Sequence, residues 1–259
     1  MRRIVIPTLI SIIVWECIAF ILGKFRFPEF FDFIQYIVSS ICADSIIARE
    51  GGGTYGFTPH ILATIGSFAS SMTVGILLGV LLAGFVYGSG FVGQIINWIV
   101  RFIGIIPPLI FIPLLLLALG PNQSAVIGSG ILFATYSVCL YATESMARIV
   151  PQYASAAMIY GASKPQLSSS VYFPAMIPGL IGGLRTTAAL TLGIVFVAEY
   201  LGSASGLGRT VKYAISYSNV QLLFTAVFWA VLIGVAFDRL LIAVAGRLCR
   251  WTNQWKQHL

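Results

Sequence analysis

A chain of 259 residues with 58% apolar and only 9% charged side chains lacks the polar surface that a water-soluble domain needs. Its mean hydropathy of +0.95 excludes a soluble enzyme and a nucleic-acid-binding domain, in spite of a net charge of +7. The length suits several membrane spans of about 20 residues joined by short connections.

Taken in order, six apolar runs predict six transmembrane helices. The first covers Ile4–Leu22, behind Arg2 and Arg3. It is long for the apolar region of a signal peptide and lacks a small-x-small cleavage site, so it reads as a retained anchor. In Pro28–Ala48, Phe30, Phe33, Ile34, Ile37 and Ile41 recur at helical spacing while Glu29, Asp32, Gln35 and Asp44 interrupt the apolar surface. That pattern suits a helix lying on the membrane better than one crossing it. Gly51-Gly52-Gly53 then breaks the chain before the second run, Ile61–Tyr87.

The third run, Val92–Leu119, follows after Gly88-Ser89-Gly90, so the two form a tight hairpin. Inside it, Pro107, Pro108 and Pro113 predict a kinked helix whose freed carbonyls must face protein or a cavity. Pro107 and Pro108, with Arg101 upstream as an attractor for an anion, are candidates for a translocation pathway. Arg101 could equally pair with an acid elsewhere. The remaining runs are Ala125–Ala147, Met176–Ala198 and Leu222–Leu248.

Lys/Arg bias sets the orientation. With the amino end inside, Arg2, Arg3, Arg148, Lys164, Arg247, Arg250 and Lys256 are cytoplasmic, against Lys24, Arg26, Arg49, Arg209 and Lys212 outside. Both termini and the segment between the fourth and fifth runs then lie in the cytoplasm.

That segment holds the most specific signal. Ser155-Ala156-Ala157 is followed after three residues by Gly161, then after nine by Val171-Tyr172-Phe173-Pro174. The spacing resembles the EAA loop of importer-type ABC transporter permeases, EAA-x3-Gly-x9-Ile-x-Leu-Pro, with Ser155 in place of the opening Glu. Further pieces, in order, are Ile105 to Leu109, Ala198-Glu199, Ser205-Gly206-Leu207-Gly208 and Phe237-Asp238-Arg239. Together they resemble the nitrate/sulfonate/taurine branch of these permeases over about His60 to Trp251.

The resemblance implies an all-α polytopic permease with about six transmembrane helices and a short cytoplasmic coupling helix. It further implies a single permease domain over 1–259. Residues 1–60 supply the first span and an external interfacial segment, and 61–251 a core with its coupling loop at 149–176. Ser155, Ala156, Ala157, Met158, Tyr160, Gly161 and Pro174 would dock on an ATPase. Tyr153, Met158, Ile159 and Tyr160 offer apolar anchors for a groove. No Gly-x4-Gly-Lys-Ser/Thr loop is present, so no cofactor is expected on this chain; ATP and Mg would sit on a separate ATPase subunit. The implied partners are cytoplasmic ABC ATPases, a second permease subunit (by preference an identical one), an external solute-binding protein and the lipid bilayer, in the inner membrane of a prokaryote.

The intramembrane charges complete the reading. Glu144 and Arg148, four residues apart, are expected to pair along one helix face. Arg185 is expected to snorkel to the cytoplasmic interface, and Asp238 to make a contact that stabilises the fold. Glu199 sits at the outer end of the fifth run beside a Gly-rich loop, where it either meets solute at an outer gate or anchors that loop. Glycines at four-residue spacing, Gly75/Gly79, Gly84/Gly88 and Gly179/Gly183, permit close helix crossings within or between subunits. Cys17, Cys42, Cys139 and Cys249 have no paired spacing, and His60 and His258 are isolated.

The implied function is passage of a small solute, an anion such as nitrate, sulfonate, taurine or bicarbonate, by ATP-driven alternating access. The alternatives are an importer for a neutral vitamin precursor or heterocycle, an ion-coupled secondary carrier, and a membrane-embedded enzyme. The carrier would need internal repeats and coupling groups, and the enzyme a catalytic constellation at membrane depth; neither is visible.

Overall fold

The computed structural model describes residues 2–23 and 25–249, and among these the chain is helical without a strand. Lys24 and the positions from Arg250 onward, with Trp251, Lys256 and His258, lie outside the described residues, as do the side chains of Arg2, Arg3 and Lys164. The elements are α1 (Arg2–Leu22), α2 (Phe30–Ser40), α3 (Ser45–Arg49), α4 (Thr58–Gly88), α5 (Gly90–Ile105), a 3₁₀ turn (Pro108–Ile110), α6 (Phe111–Leu119) and α7 (Gln123–Ile159). There follow α8 (Lys164–Leu167), a π turn (Ser168–Tyr172), α9 (Phe173–Gly202), α10 (Leu207–Ser216) and α11 (Val220–Leu248).

Among the described residues, four stretches are long and apolar enough to cross a membrane: Thr58–Gly88, Gln123–Arg148, Ser168–Gly202 and Val220–Arg247. The expected third span is not one straight helix. Gly90–Ile105 and Pro108–Leu119 meet at 85°, because Pro107 and Pro108 cannot donate the backbone hydrogen bonds that would continue α5. The α1 helix has 21 residues, with Leu9–Leu22 as its described apolar stretch. The α2 helix has 11 residues, about 16 Å at 1.5 Å each, half of a hydrocarbon core of about 30 Å. It is too short to cross, in line with the interfacial reading of Pro28–Ala48. Phe33 and Ile37 are its buried face, while Phe31, Ile34 and Val38 are exposed.

The chain divides into two compact units. The first comprises residues 1–65 and 196–232. An aromatic cluster of Trp15, Phe27, Phe33 and Phe224 holds α1 to α2 and to the start of α11, with ring centroids 4.7–6.3 Å apart. Trp15 Nε1 donates to Pro28 O at 2.9 Å, and the Glu16 carboxylate accepts from Phe30 N at 3.1 Å, capping the start of α2. Asp44 caps α3 by accepting from Ile46 and Ile47 N–H through Oδ1, and its Oδ2 accepts from the Tyr36 hydroxyl at 2.5 Å.

The second unit comprises residues 66–195 and 233–259. Its centre is α7, against which α4 and α9 pack through small residues. A side chain on Gly75 would strike Ala134, and one on Gly79 would strike Val138. Gly179 lies on Ser145 and Gly183 on the Tyr141 ring. Four of the six spaced glycines therefore serve crossings within the subunit. Lipid cannot drive apolar helices together as water does, so such crossings rest on close packing and hydrogen bonds. Ser137 and Thr187 hydroxyls meet at 2.9 Å, Ser145 Oγ donates to Met176 O at 3.0 Å, and Ser71 Oγ donates to Ile127 O at 3.1 Å. The Gln123 amide hydrogen-bonds Ser67 Oγ.

Candidate functional site

The motif from Ser155 to Pro174 lies wholly in the second unit. The expected separate coupling helix is instead the end of α7, which runs unbroken for 37 residues. At about 1.5 Å per residue it is about 55 Å long, far more than a hydrocarbon core of about 30 Å. A core of that thickness takes up about 20 of the helix's residues, so the last turns, Ala154–Ile159 among them, project beyond it. The helix runs on past Pro151, the one residue between Arg148 and Ser155 that cannot donate a backbone hydrogen bond.

Gly161 stops α7 by geometry. Its φ is +79°, a conformation that L side chains resist. Tyr160 N donates to Ala156 O at 3.2 Å, Gly161 N to Met158 O at 3.0 Å and Ala162 N to Ala157 O at 3.0 Å, closing the helix end. Beyond the turn, Ser163 N and Oγ both donate to Gln166 Oε1, at 2.8 and 2.9 Å, half of a capping box that starts α8. The two sides of this turn differ in what they touch. Ala154 and Leu167 are buried against the cluster of Met146, Met176 and Leu180, with Val171 and Phe173 packed on it. Tyr153, Met158, Ile159 and Tyr160 point outward, Ile159 and Tyr160 being 84% and 91% exposed. Ser155 and Ala156 are exposed, Ala157 half-buried. Pro174 follows directly on the π turn 168–172, whose wider i→i+5 bonding, with Phe173 N donating to Ser168 O, accommodates a residue without an N–H inside the helical run.

At the far end of α9, in the first unit, Glu199 is wholly buried. Its Oε2 accepts from the Thr64 hydroxyl at 2.8 Å and from Gly208 N at 3.0 Å. Thr64 Oγ1 in turn accepts from Leu207 N at 2.8 Å, and His60 Nδ1 accepts from Gly206 N at 3.1 Å. Three consecutive N–H groups that open α10 are thus satisfied by side chains of α4 and α9 rather than by a local cap. Gly206 has φ +116°, and a Cβ there would overlap the Glu199 carboxyl. Glu199 offers no exposed oxygen to a solute within this chain. Its contacts are those of an anchor for loop 203–208. Sequence reading missed His60 and Thr64, which stand four residues apart on one face of α4; only the fold brings them to Gly206 and Leu207.

Arg101 is exposed on α5, with Nε donating to Asn97 Oδ1 at 3.2 Å. With Tyr87, Gln94, Asn97, Thr143 and Glu144 it lines a cleft of about 300 Å³ in the second unit. The expected Glu144–Arg148 ion pair does not form; Glu144 turns into this cleft and Arg148 is exposed. Pro107 is exposed and Pro108 half-buried at the 85° bend. Arg185 does not snorkel. Its Nε and Nη2 grip Asp238 Oδ1 and Oδ2 at 2.6 and 3.1 Å, a two-pronged pair between α9 and α11. Asp238 thus makes the stabilising contact expected of it, with Arg185 and not with the adjacent Arg239.

Several long apolar helices, a broken span and a helix that overshoots the membrane to present an apolar turn define a polytopic membrane permease. Residues 75–252 match the family model described as the binding-protein-dependent transport system inner membrane component, and the chain belongs to that family. It is an ABC transporter permease of the importer type, a multi-pass inner membrane protein. A Brucella abortus (strain 2308) protein named as a probable ABC transporter permease is 30% identical over 193 residues, 72% of this chain and 77% of that one. The nitrate import permease NrtB of Synechococcus elongatus is 24% identical over 92% of this chain and 86% of its own length. The bicarbonate transport system permease CmpB of Synechocystis is 23% identical over 73% of this chain and 68% of its own. Among solved structures, an inward-facing conformation of the MetNI methionine ABC transporter aligns at TM-score 0.61 with 19% identity, over 74% of this chain and 93% of that one. That likeness extends to the fold.

Proposed function

We propose that the chain is the membrane channel of an ATP-driven importer that carries a small oxyanion, such as nitrate or bicarbonate, into the cytoplasm. The whole of 1–259 serves as one permease domain, with both termini inside, and it works as a homodimer. Two ATPase subunits hold ATP and Mg, and an external binding protein delivers the solute. The similarity to permeases named for nitrate and for bicarbonate import supports the anion.

The observation that carries this reading is the exposed turn at the end of α7. Tyr153, Met158, Ile159 and Tyr160 form an apolar tip at the end of a continuous helix, with the opposite side of the turn fastened to the core. An apolar tip held this way fits a groove on a partner. Ser155, Ala156, Ala157 and Gly161 keep the helix slim and close its end, and Pro174 returns the chain to the membrane. Closure of the ATPase dimer would move these helix ends and rock the spans between two states, one open to each side. Loop 203–208, held by Glu199, belongs to the outer gate. The bend at Pro107-Pro108, with Arg101, lines the pathway.

The test is co-purification with the ATPase subunit of the same transport system. Ile159→Glu and Tyr160→Ala together should abolish the complex while leaving the permease helical content and monodispersity unchanged. A complex of unaltered stability would refute the coupling role.

A further inference from the structure

The Arg185–Asp238 pair stands where an ion pair is costly. Along α9, Arg185 is about 18 Å from Phe173 and about 26 Å from Gly202, and along α11, Asp238 is about 27 Å from Val220 and about 15 Å from Leu248, at about 1.5 Å per residue. Both lie within the hydrocarbon thickness of about 30 Å. Yet the two side chains are 39% and 32% exposed on the surface of the chain. Charges at that depth turn toward water or protein, not acyl chains.

The neighbouring surface of α9 agrees. Gly182, Thr186, Ala189 and Gly193 fall at i, i+4, i+7 and i+11, and all four are exposed. A Cβ on Gly182 or Gly193 would meet nothing within 4 Å. A helix face turned to lipid gains by bearing large apolar side chains; this row bears small ones, with the Thr186 hydroxyl among them and the exposed Leu190 at its edge. Arg185 uses Nε and Nη2 on Asp238, which leaves the Nη1 edge of the guanidinium free. Arg239, exposed, follows Asp238, so the three charges sum to +1.

We propose that this face is a mid-membrane binding site for a small oxyanion, which takes the free Nη1 edge of Arg185 while Asp238 holds the other edge and fixes the plane of the guanidinium. Thr186 supplies a hydroxyl donor, and the small residues leave room for the ion. The proposal rests on the importer reading and names the residue that selects its cargo. Arg185 suits the task because its planar fork can hold a carboxylate on one edge and an oxyanion on another, which a lysine cannot do.

The test uses the complete transporter in nanodiscs, with Thr186→Cys introduced into a chain whose four cysteines are changed to serine. A membrane-impermeant sulfonated thiol reagent should label this variant. Nitrate, bicarbonate or an alkanesulfonate should slow labelling at least threefold. Arg185→Gln should remove that protection and cut uptake of the protecting anion at least tenfold, with the ATPase complex still assembled and still hydrolysing ATP. Arg185→Lys should restore part of the protection. No labelling at Thr186→Cys would mean that lipid or a second copy covers the face, and would overturn the proposal. Failure of all three anions to protect, or equal protection in Arg185→Gln, would overturn it as well. Failure of the importer reading looks different: the unaltered permease would bind no ATPase.

Discussion

Glu199 shows how one carboxylate organises a loop. Thr64 and Gly208 donate to the same oxygen, and Gly206 must be glycine both for its φ of +116° and for the space the carboxyl occupies. Gly206→Ala should therefore lower the melting temperature of the purified permease, through a loss of about 1–3 kcal/mol from backbone strain alone. Gly66→Ala on α4, where a Cβ meets nothing within 4 Å, should be neutral or stabilising by about 0.5–1 kcal/mol. A thermal-shift comparison of the two variants in one detergent checks both. Tyr36 makes a second prediction, outside the spans. Burial, then the hydrogen bond to Asp44, push its phenol far above the ordinary tyrosine value. The folded state holds that proton more tightly than the unfolded one, so the contribution to stability is whole at neutral pH and is lost as pH rises past about 10. Alkaline difference absorbance near 295 nm should show Tyr36→Phe removing a late-titrating phenol; loss of an ordinary one would contradict the assignment.

At the scale of elements, α7 is the organiser of the second unit. Small residues of α4 and α9 bring their backbones against it, and hydroxyls bridge the crossings. Gly183→Leu, which places a branched side chain into the Tyr141 ring, should cost more than Ser137→Ala. The latter removes one hydroxyl pair worth about 0.6 kcal/mol on average between membrane helices. Unfolding in mixed detergent measures both. Much of this level was legible in the chain itself. The apolar runs marked the long helices, because a bilayer demands length and hydropathy together. Pro107-Pro108 marked the bend, and the apolar spacing from Phe30 to Ile41 marked α2 as a helix, though of that set Phe33 and Ile37 are buried and Ile34 is exposed. Two features were not legible. Ser155-Ala156-Ala157 looks like an independent short helix in sequence, since Pro151 precedes it, yet α7 continues through that proline. The partner of Arg185 lies 53 residues away on α11, and nothing in local spacing distinguishes that pairing from snorkelling.

At the scale of the whole molecule, the account turns on a division of labour. This chain supplies spans, a bend, an anchored loop and an apolar tip, and in the proposed reading the chemistry that powers it would belong to a partner. The tip was legible because its spacing is unusually specific, from Ser155 through Gly161 to Pro174. Its presentation was not: which of Tyr153, Met158, Ile159 and Tyr160 face outward depends on how Ala154 and Leu167 fasten the turn. The most direct measurement is ATP hydrolysis by the reconstituted transporter, with and without the loaded binding protein. Comparing the unaltered permease with the Ile159→Glu, Tyr160→Ala variant asks whether the tip carries the signal. The account predicts stimulation of several-fold with the unaltered chain and none with the variant, whose spans remain intact. Equal stimulation in both would contradict it.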